Sequence, residues 1–365
     1  MSCKSPLTFI VEWHNDKSKT WSGTPLSLFN ALQYHFNIKE YDIAPKPSRL
    51  QNLICRFFPK PYDFGIAAYK KIRKRYYKKA SKEPEHKILQ FAEVIFDTPN
   101  IKTYIYIDLC VEYMKSLYES CKSLYDLSSF DFVSYKYIFL REPIQTKYLA
   151  ECSGIFTMNK WLKQYLITDL GLPENKIFHV GGGINIDPSK IDQTKKTGNK
   201  FLFIGRDYIR KGLMLLYNAF CDLKKRYPNI ELHIAGPEVN PIEDMISGCY
   251  FWGDCNKDEI SNLYNKCDVF CMPSYFEAYG IVFIEALTYG LPCIGRDAFE
   301  MPYLIDDGFS GRLLKNEDVN ELSNIMEEVL VNDKYRNNVL SMQEWYLNEY
   351  SWENVARRMA EIIKK

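Results

Sequence analysis

The chain has 365 residues, 46% apolar and 25% charged, with a formal net charge of +1. That length exceeds one ordinary core and points to two domains, and the composition excludes a disordered chain. A net charge this small excludes a general nucleic-acid binder, which needs a broad positive field, so no nucleic-acid partner is expected.

The 11 cysteines lack C-x-x-C spacing and nearby histidine partners, which reads as reduced thiols and no metal site. The opening MSCKSPLTFIVEW has no charged lead before a long apolar run, and no window is apolar for about 18 residues. The expected location is the cytoplasm.

In chain order, a strand-like run Leu7 to Trp13 is followed by the turn Trp21-Ser22-Gly23-Thr24-Pro25 and a helix from Leu26 to Tyr34. Residues 69 to 82 read YKKIRKRYYKKASK, eight cations without an acid and with three tyrosines. The stretch Lys70 to Lys82 suits a peripheral contact with an anionic membrane face, or a solvated basic helix face. A strand from Tyr104 to Leu109 contains Asp108, and another, Gly154 to Thr157, leads into a helix from Lys160 to Leu170. A short strand near Ile177 to Val180 precedes three glycines.

The polar stretch 187–199 reads as a linker, dividing an N-terminal domain, 1–186, from a C-terminal domain, 200–345, with a last helix in 346–365. The second domain alternates strands with helices: Phe201 to Ile204, Lys211 to Arg226, Ile230 to Ile234, a helical spacing at Ile260, Leu263, Tyr264 and Cys267, then Val269 to Met272. A loop, Pro273 to Gly280, feeds a helix Ile281 to Tyr289 that Gly290 can end, and Leu291 to Ile294 is the next strand. Such alternation predicts an α/β fold of parallel, doubly wound sheets.

Ligands of such sheets sit beyond the carboxyl ends of the strands. There Gly205 permits close approach, the Arg206 guanidinium can fork onto phosphate oxygens, and Lys211 adds a charge. Glu277 and Glu285, eight positions apart, can accept hydrogen bonds from sugar and ribose hydroxyls, while Ala278, Tyr279, Gly280 and Ile281 supply backbone groups at a helix start. The plain structural readings are solvated cations, a helix-capping Glu277 and a Glu285 bridged to an arginine.

The blocks FLFIGRDYIRKGLMLLYNAF, LHIAGPE, DVFCMPSYFEAYGIVFIEALTYGLPCI, GFSGRLL and YSWENVARRMAEII follow one another here, with NKWLKQYLITDLGLPENKIFHVGGGIN before them. In order and spacing they resemble the retaining glycosyltransferases of family four, the glycosyl transferases group 1. The resemblance implies the GT-B fold: two Rossmann-like doubly wound domains with a cleft between them and a C-terminal helix crossing back. It implies a donor diphosphate on Arg206 and Lys211, the nucleotide ribose on Glu285, and the transferred sugar at Glu277 and the backbone of Ala278 to Gly280. Gly23 would meet the phosphates from the first domain. Transfer would retain anomeric configuration by same-face attack, with a nucleotide-sugar co-substrate (a UDP- or GDP-sugar), no cofactor and a glycan or lipid-linked acceptor. The chain has no Asp-x-Asp triplet, so metal independence is expected.

Where many relatives carry Gly-Gly and then Glu after a strand, this chain has Arg296-Asp297-Ala298-Phe299-Glu300. Where many place a histidine near the sugar, Asp108 ends the strand, either as a sugar contact or as an N-cap of the next helix. A nucleotide-sugar epimerase of the same fold, a phosphorylase and a non-catalytic sugar-nucleotide-binding protein are the competing readings.

Overall fold

Short buried strands alternate with amphipathic helices because each helix must bury one stripe against a sheet that is apolar on both faces. The computed structural model describes residues 4–43, 87–91, 101–128, 130, 135–192 and 198–365. The basic stretch Lys70 to Lys82 lies outside the described residues.

The chain divides into two compact units. The first comprises residues up to Asp126, Phe130–Gly183 and Ser351–Lys365; the second is built on Ile184–Tyr350. In the first, six strands lie in the order β2-β1-β3-β4-β5-β6. They are β1 (Pro6–Val11), β2 (Asn37–Asp42), β3 (Lys87–Phe91), β4 (Thr103–Ile107), β5 (Gly154–Thr157) and β6 (Ile177–His179). All their pairings are parallel. The helix Trp352–Ile363 packs in this unit against the helix Thr24–Leu32, although it is the last element of the chain.

The second unit holds β7 (Lys200–Ile204), β8 (Glu231–Ala235), β9 (Cys249–Gly253), β10 (Val269–Cys271), β11 (Cys293–Arg296) and β12 (Gly311–Leu314), again parallel throughout. Their order is β12-β11-β10-β7-β8-β9, so the winding reverses between β7 and β10. In an open α/β sheet that reversal opens a crevice at the carboxyl ends of the two strands. In the first unit the reversal falls between β1 and β3.

The helix Leu213–Arg226 buries Leu213, Leu216, Tyr217, Phe220 and Leu223 and ends in three cations that suit its dipole. The helix Ile281–Thr288 stops before Gly290, whose φ of +78° a side chain would disfavour. The doubly wound α/β reading therefore holds for both units, and four strands go beyond what the chain's patterning revealed: β2, β3, β9 and β12. Among the described residues no helix is long and apolar enough to cross a membrane.

Candidate functional site

Gly205 follows β7, and the loop from Pro273 to Gly280 follows β10, so the reversal point of the second sheet brings both to one end. A Cβ on Gly205 would lie 2.1 Å from Cδ of Lys211. The absence of a side chain there is what lets the lysine stem cross the turn. Gly236, at φ +116°, meets the backbone of Gly205 just as closely, and its own Cβ would come within 2.5 Å of the Gly205 carbonyl carbon. Two glycines thus hold the turn after β7 against the turn after β8.

Lys211 is expected at the start of a helix, and the structure starts that helix two residues later, at Leu213, with Gly212 as the left-handed N-cap. The side chain is half-buried and tied down rather than mobile at the surface: Nζ lies 3.1 Å from Oε2 of Glu277 and 3.4 Å from Sδ of Met272. Burial pulls the Lys211 ammonium below its usual pKa, with Glu277 working against that. Burial alone would raise the Glu277 carboxyl, but the Lys211 and Arg210 charges outweigh it and hold it below the usual value. Glu277 is therefore a carboxylate between two cations, not a helix cap. Arg210 donates from Nη1 to the carbonyl of Phe276 at 2.6 Å and approaches Oε2 of Glu277 at 3.4 Å.

Arg206 stands apart from this cluster. Its side chain is 78% exposed, and Nε and Nη2 both donate to Oδ1 of Asp254 at 3.2 and 3.1 Å. A pair this exposed contributes about 0.2–1 kcal/mol, so the guanidinium is easily recruited by a stronger anion. Lys211, Glu277 and Arg210 converge directly; Arg206 lies on the same turn as Gly205 with its own acidic partner.

Glu285, in the helix Ile281–Thr288, is buried. Among the described residues no arginine bridges it: Oε1 accepts from the backbone N–H of Asn185 at 3.1 Å, and Oε2 accepts from the Tyr264 hydroxyl at 3.3 Å. Burial pushes the carboxyl up to about 7, against the opposing pull of those two donors. Gly280 is the N-cap of this helix at φ +88°, and Ile281 is its first residue. Ala278 and Tyr279 lie in the turn between Glu277 and that cap.

Two sites fall in the first unit. Gly23 is the left-handed N-cap of the helix Thr24–Leu32, at φ +92°, after Trp21 and Ser22, themselves at φ +45° and +57°. Asp108 directly follows β4, and its carbonyl accepts from Nδ2 of Asn159 at 2.6 Å. Asp108 is not the N-cap of the helix Val111–Ser120; that position is Cys110.

Sequence reading passed over Arg210, Asp254, Asn185 and Tyr264. Arg210 had a signal: Asp207 sits three residues earlier, and the two pair at 3.1 Å across a single turn. The other three are joined to the site only by tertiary contacts. Among the described residues no group of three or more His, Cys, Asp or Glu is placed to hold a metal ion.

Residues 186–341 match the family described as glycosyl transferases group 1. An uncharacterized 41.2 kDa protein in the cps region of Klebsiella pneumoniae is 28% identical over 192 residues, which is 49% of this chain and 52% of that protein. The phosphatidyl-myo-inositol mannosyltransferase of Mycolicibacterium smegmatis is 26% identical over 185 residues, 49% of this chain and 48% of that one. The matched segment thus spans about half the length of these relatives. The structure of a sucrose-phosphate synthase from Thermosynechococcus elongatus superposes with a TM-score of 0.71 at 15% identity, covering 99% of this chain and 98% of that one. Within the second unit, residues 186–341 are thus similar to the group 1 glycosyl transferases, and the chain as a whole has the GT-B fold.

Proposed function

We propose that this protein transfers a sugar from a nucleoside diphosphate sugar to a glycan or lipid-linked acceptor, retaining the configuration of the anomeric carbon. The observation that carries the reading is the cluster of the buried Glu277 with the half-buried Lys211 and Arg210 at the reversal point of the second sheet, beside the exposed Arg206. Withdrawing charges from water costs free energy unless they are paired and hydrogen-bonded, so a network enclosed at this point of the sheet suggests a use for its charges. Asp207 also pairs with Arg210, so the charge most open to an anion is that of Arg206, whose exposed pair with Asp254 is easily exchanged.

In this reading the donor diphosphate draws the Arg206 guanidinium away from Asp254 and takes a second charge from Lys211. Both stabilise the negative charge that grows on the diphosphate as the bond from the anomeric carbon to the phosphate oxygen breaks. The acceptor oxygen attacks the same face and forms the new glycosidic bond, while its proton passes to a donor phosphate oxygen. Glu277 and the backbone at Ala278 to Gly280 hold sugar hydroxyls, and Glu285 holds the ribose. The relative named for phosphatidyl-myo-inositol supports an acceptor with a lipid part.

The test is a melting and donor-hydrolysis screen against UDP-, GDP-, ADP- and dTDP-sugars with EDTA throughout. One donor is expected to raise the melting temperature and to be hydrolysed slowly without metal, and Arg206→Ala should remove both signals. No shift with any nucleotide at millimolar concentration sinks the reading.

A further inference from the structure

Arg206 and Lys211 belong to one turn, yet their acidic partners come from different places. Lys211 and Arg210 share Glu277, in the loop after β10. Asp207, the acid next to Arg206 in the chain, pairs with Arg210 at 3.1 Å instead. Among the described residues the carboxylate paired with Arg206 is that of Asp254, 48 positions away in the turn after β9.

That turn is pinned to the one that carries Arg206. Gly205 donates its N–H to the carbonyl of Ala235 at 2.8 Å, and Gly236 donates to that of Gly253 at 2.7 Å. The turns after β7, β8 and β9 are thus stitched in sequence, and Asp254 directly follows Gly253. On its other side, Asn256 caps the helix Lys257–Lys266: its side chain accepts from the N–H groups of Asp258 and Glu259, and its own N–H donates to Oε2 of Glu259 at 2.7 Å. Only Asp254 and Cys255 lie between the two anchors, so the carboxylate is presented from a short, fixed turn.

The pair itself is exchangeable. Nε and Nη2 converge on one oxygen, Oδ1, instead of meeting both oxygens in parallel as the stronger fork-to-fork pairs do. Both side chains are exposed, so a polyanion can compete for the guanidinium. A diphosphate that takes it leaves the Asp254 carboxylate beside bound negative charge. Transfer increases that charge. The bond from the anomeric carbon to the phosphate oxygen breaks, and its electron pair stays on the oxygen. The proton received there from the acceptor is then lost to water at neutral pH, since a terminal phosphate has its second pKa at about 6. The nucleoside diphosphate product thus carries one negative charge more than the nucleotide sugar did, and a neighbouring carboxylate repels it more.

We propose that Asp254 is a positioning residue for product release: it takes the Arg206 guanidinium back and disfavours the nucleoside diphosphate more than the nucleotide sugar. The proposal rests on the donor reading given above, in which the diphosphate binds Arg206.

The experiment titrates UDP and UDP-glucose, or the same pair on the nucleoside that the donor screen selects, into the unaltered protein, Asp254→Asn and Asp254→Glu. Calorimetry at low salt with EDTA reads the affinities, and melting curves confirm folding. Asparagine keeps the size of the side chain without its charge, whereas glutamate keeps the charge. Asp254→Asn is expected to bind UDP about two- to five-fold more tightly, the range of an exposed ion pair, and to gain less for UDP-glucose. Asp254→Glu should keep the affinities of the unaltered protein. A folded Asp254→Asn whose UDP affinity is unchanged or weaker, or which gains equally for both ligands, overturns the assignment and leaves the transferase reading standing. So does a glutamate variant that gains as much as the asparagine one. An unaltered protein that binds no nucleotide or nucleotide sugar loses both readings.

Discussion

Lys211 and Arg206 are both cations on the turn after β7, yet they face opposite electrostatic problems. Lys211 has its charge desolvated and balanced by Glu277, so it is held in place before any ligand arrives; Arg206 is hydrated and only loosely tied to Asp254. Replacing Lys211 with alanine should reduce donor turnover by about 10²–10³-fold, the usual effect of deleting one preorganised charge-stabilising group. An initial-rate assay checks it, and unchanged turnover would remove Lys211 from the chemistry. Glu285 gives a prediction of a different kind. Its folded pKa of about 7 lies above the ordinary 4.5. Between those values the folded state therefore holds a proton that the unfolded chain has released. The contribution is full below about pH 4.5 and is lost as pH rises through 7. Glu285→Gln should remove that part of the pH dependence, so that its melting temperature gains on the unaltered protein between pH 5 and pH 8. Parallel melting curves at the two pH values decide it. Glu285 was visible in the chain as an acid in an apolar helix, but its partners Asn185 and Tyr264, 100 and 21 positions away, were not.

At the scale of elements, the site depends on how strands deliver their turns. Where a strand is continuously apolar, as in Phe201 to Ile204 or Val269 to Cys271, burial on both faces made it readable. The missed strands show why others were not. β2 reads NIKEYD and lies at the sheet edge, where polar residues are allowed. β3 places Gln90 in full burial because its amide donates to the Tyr148 hydroxyl at 2.7 Å, a compensation 58 residues away. β9 is an edge strand of the second sheet, and its exposed Tyr250 and Trp252 look like core residues in the sequence. The turn geometry was also only half legible: Gly205 was singled out for ligand approach, while the structure shows that it also accommodates the Lys211 stem. Gly205→Ala should displace that stem and cost about 1–3 kcal/mol, as overpacking does. Donor binding should fall along with stability, since in the proposed function the displaced group meets the diphosphate. Denaturant unfolding and a donor titration together test this; a variant less stable yet unchanged in donor affinity would separate Lys211 from the site.

For the whole molecule, the chain leaves the first unit after Gly183 and rejoins it at Ser351. At the edge of the second unit the two crossings are adjacent, with the N–H of Ile184 donating to the carbonyl of Tyr350 at 2.9 Å. The returning helix Trp352–Ile363 buries Trp352, Val355, Ala356, Met359, Ala360 and Ile363. Arg358 donates to the carbonyl of Val180 at 2.6 Å, Lys87 donates to the carbonyl of Ile363, and the Trp352 ring fills the space that a Cβ on Gly183 would need. A large buried apolar side chain contributes about 1.5–3 kcal/mol. Losing several at once should consume most of a domain's margin of about 5–15 kcal/mol. A chain ending at Tyr350 should therefore lose the fold of the first unit while the second, whose described core lies within Ile184–Tyr350, remains folded. Hydrogen exchange read peptide by peptide is the decisive measurement: rapid exchange across β1, β4 and β5 with protection kept in β7, β8 and β10 is expected. Full protection of β1 in the shortened chain would mean that the first unit is complete without its last helix.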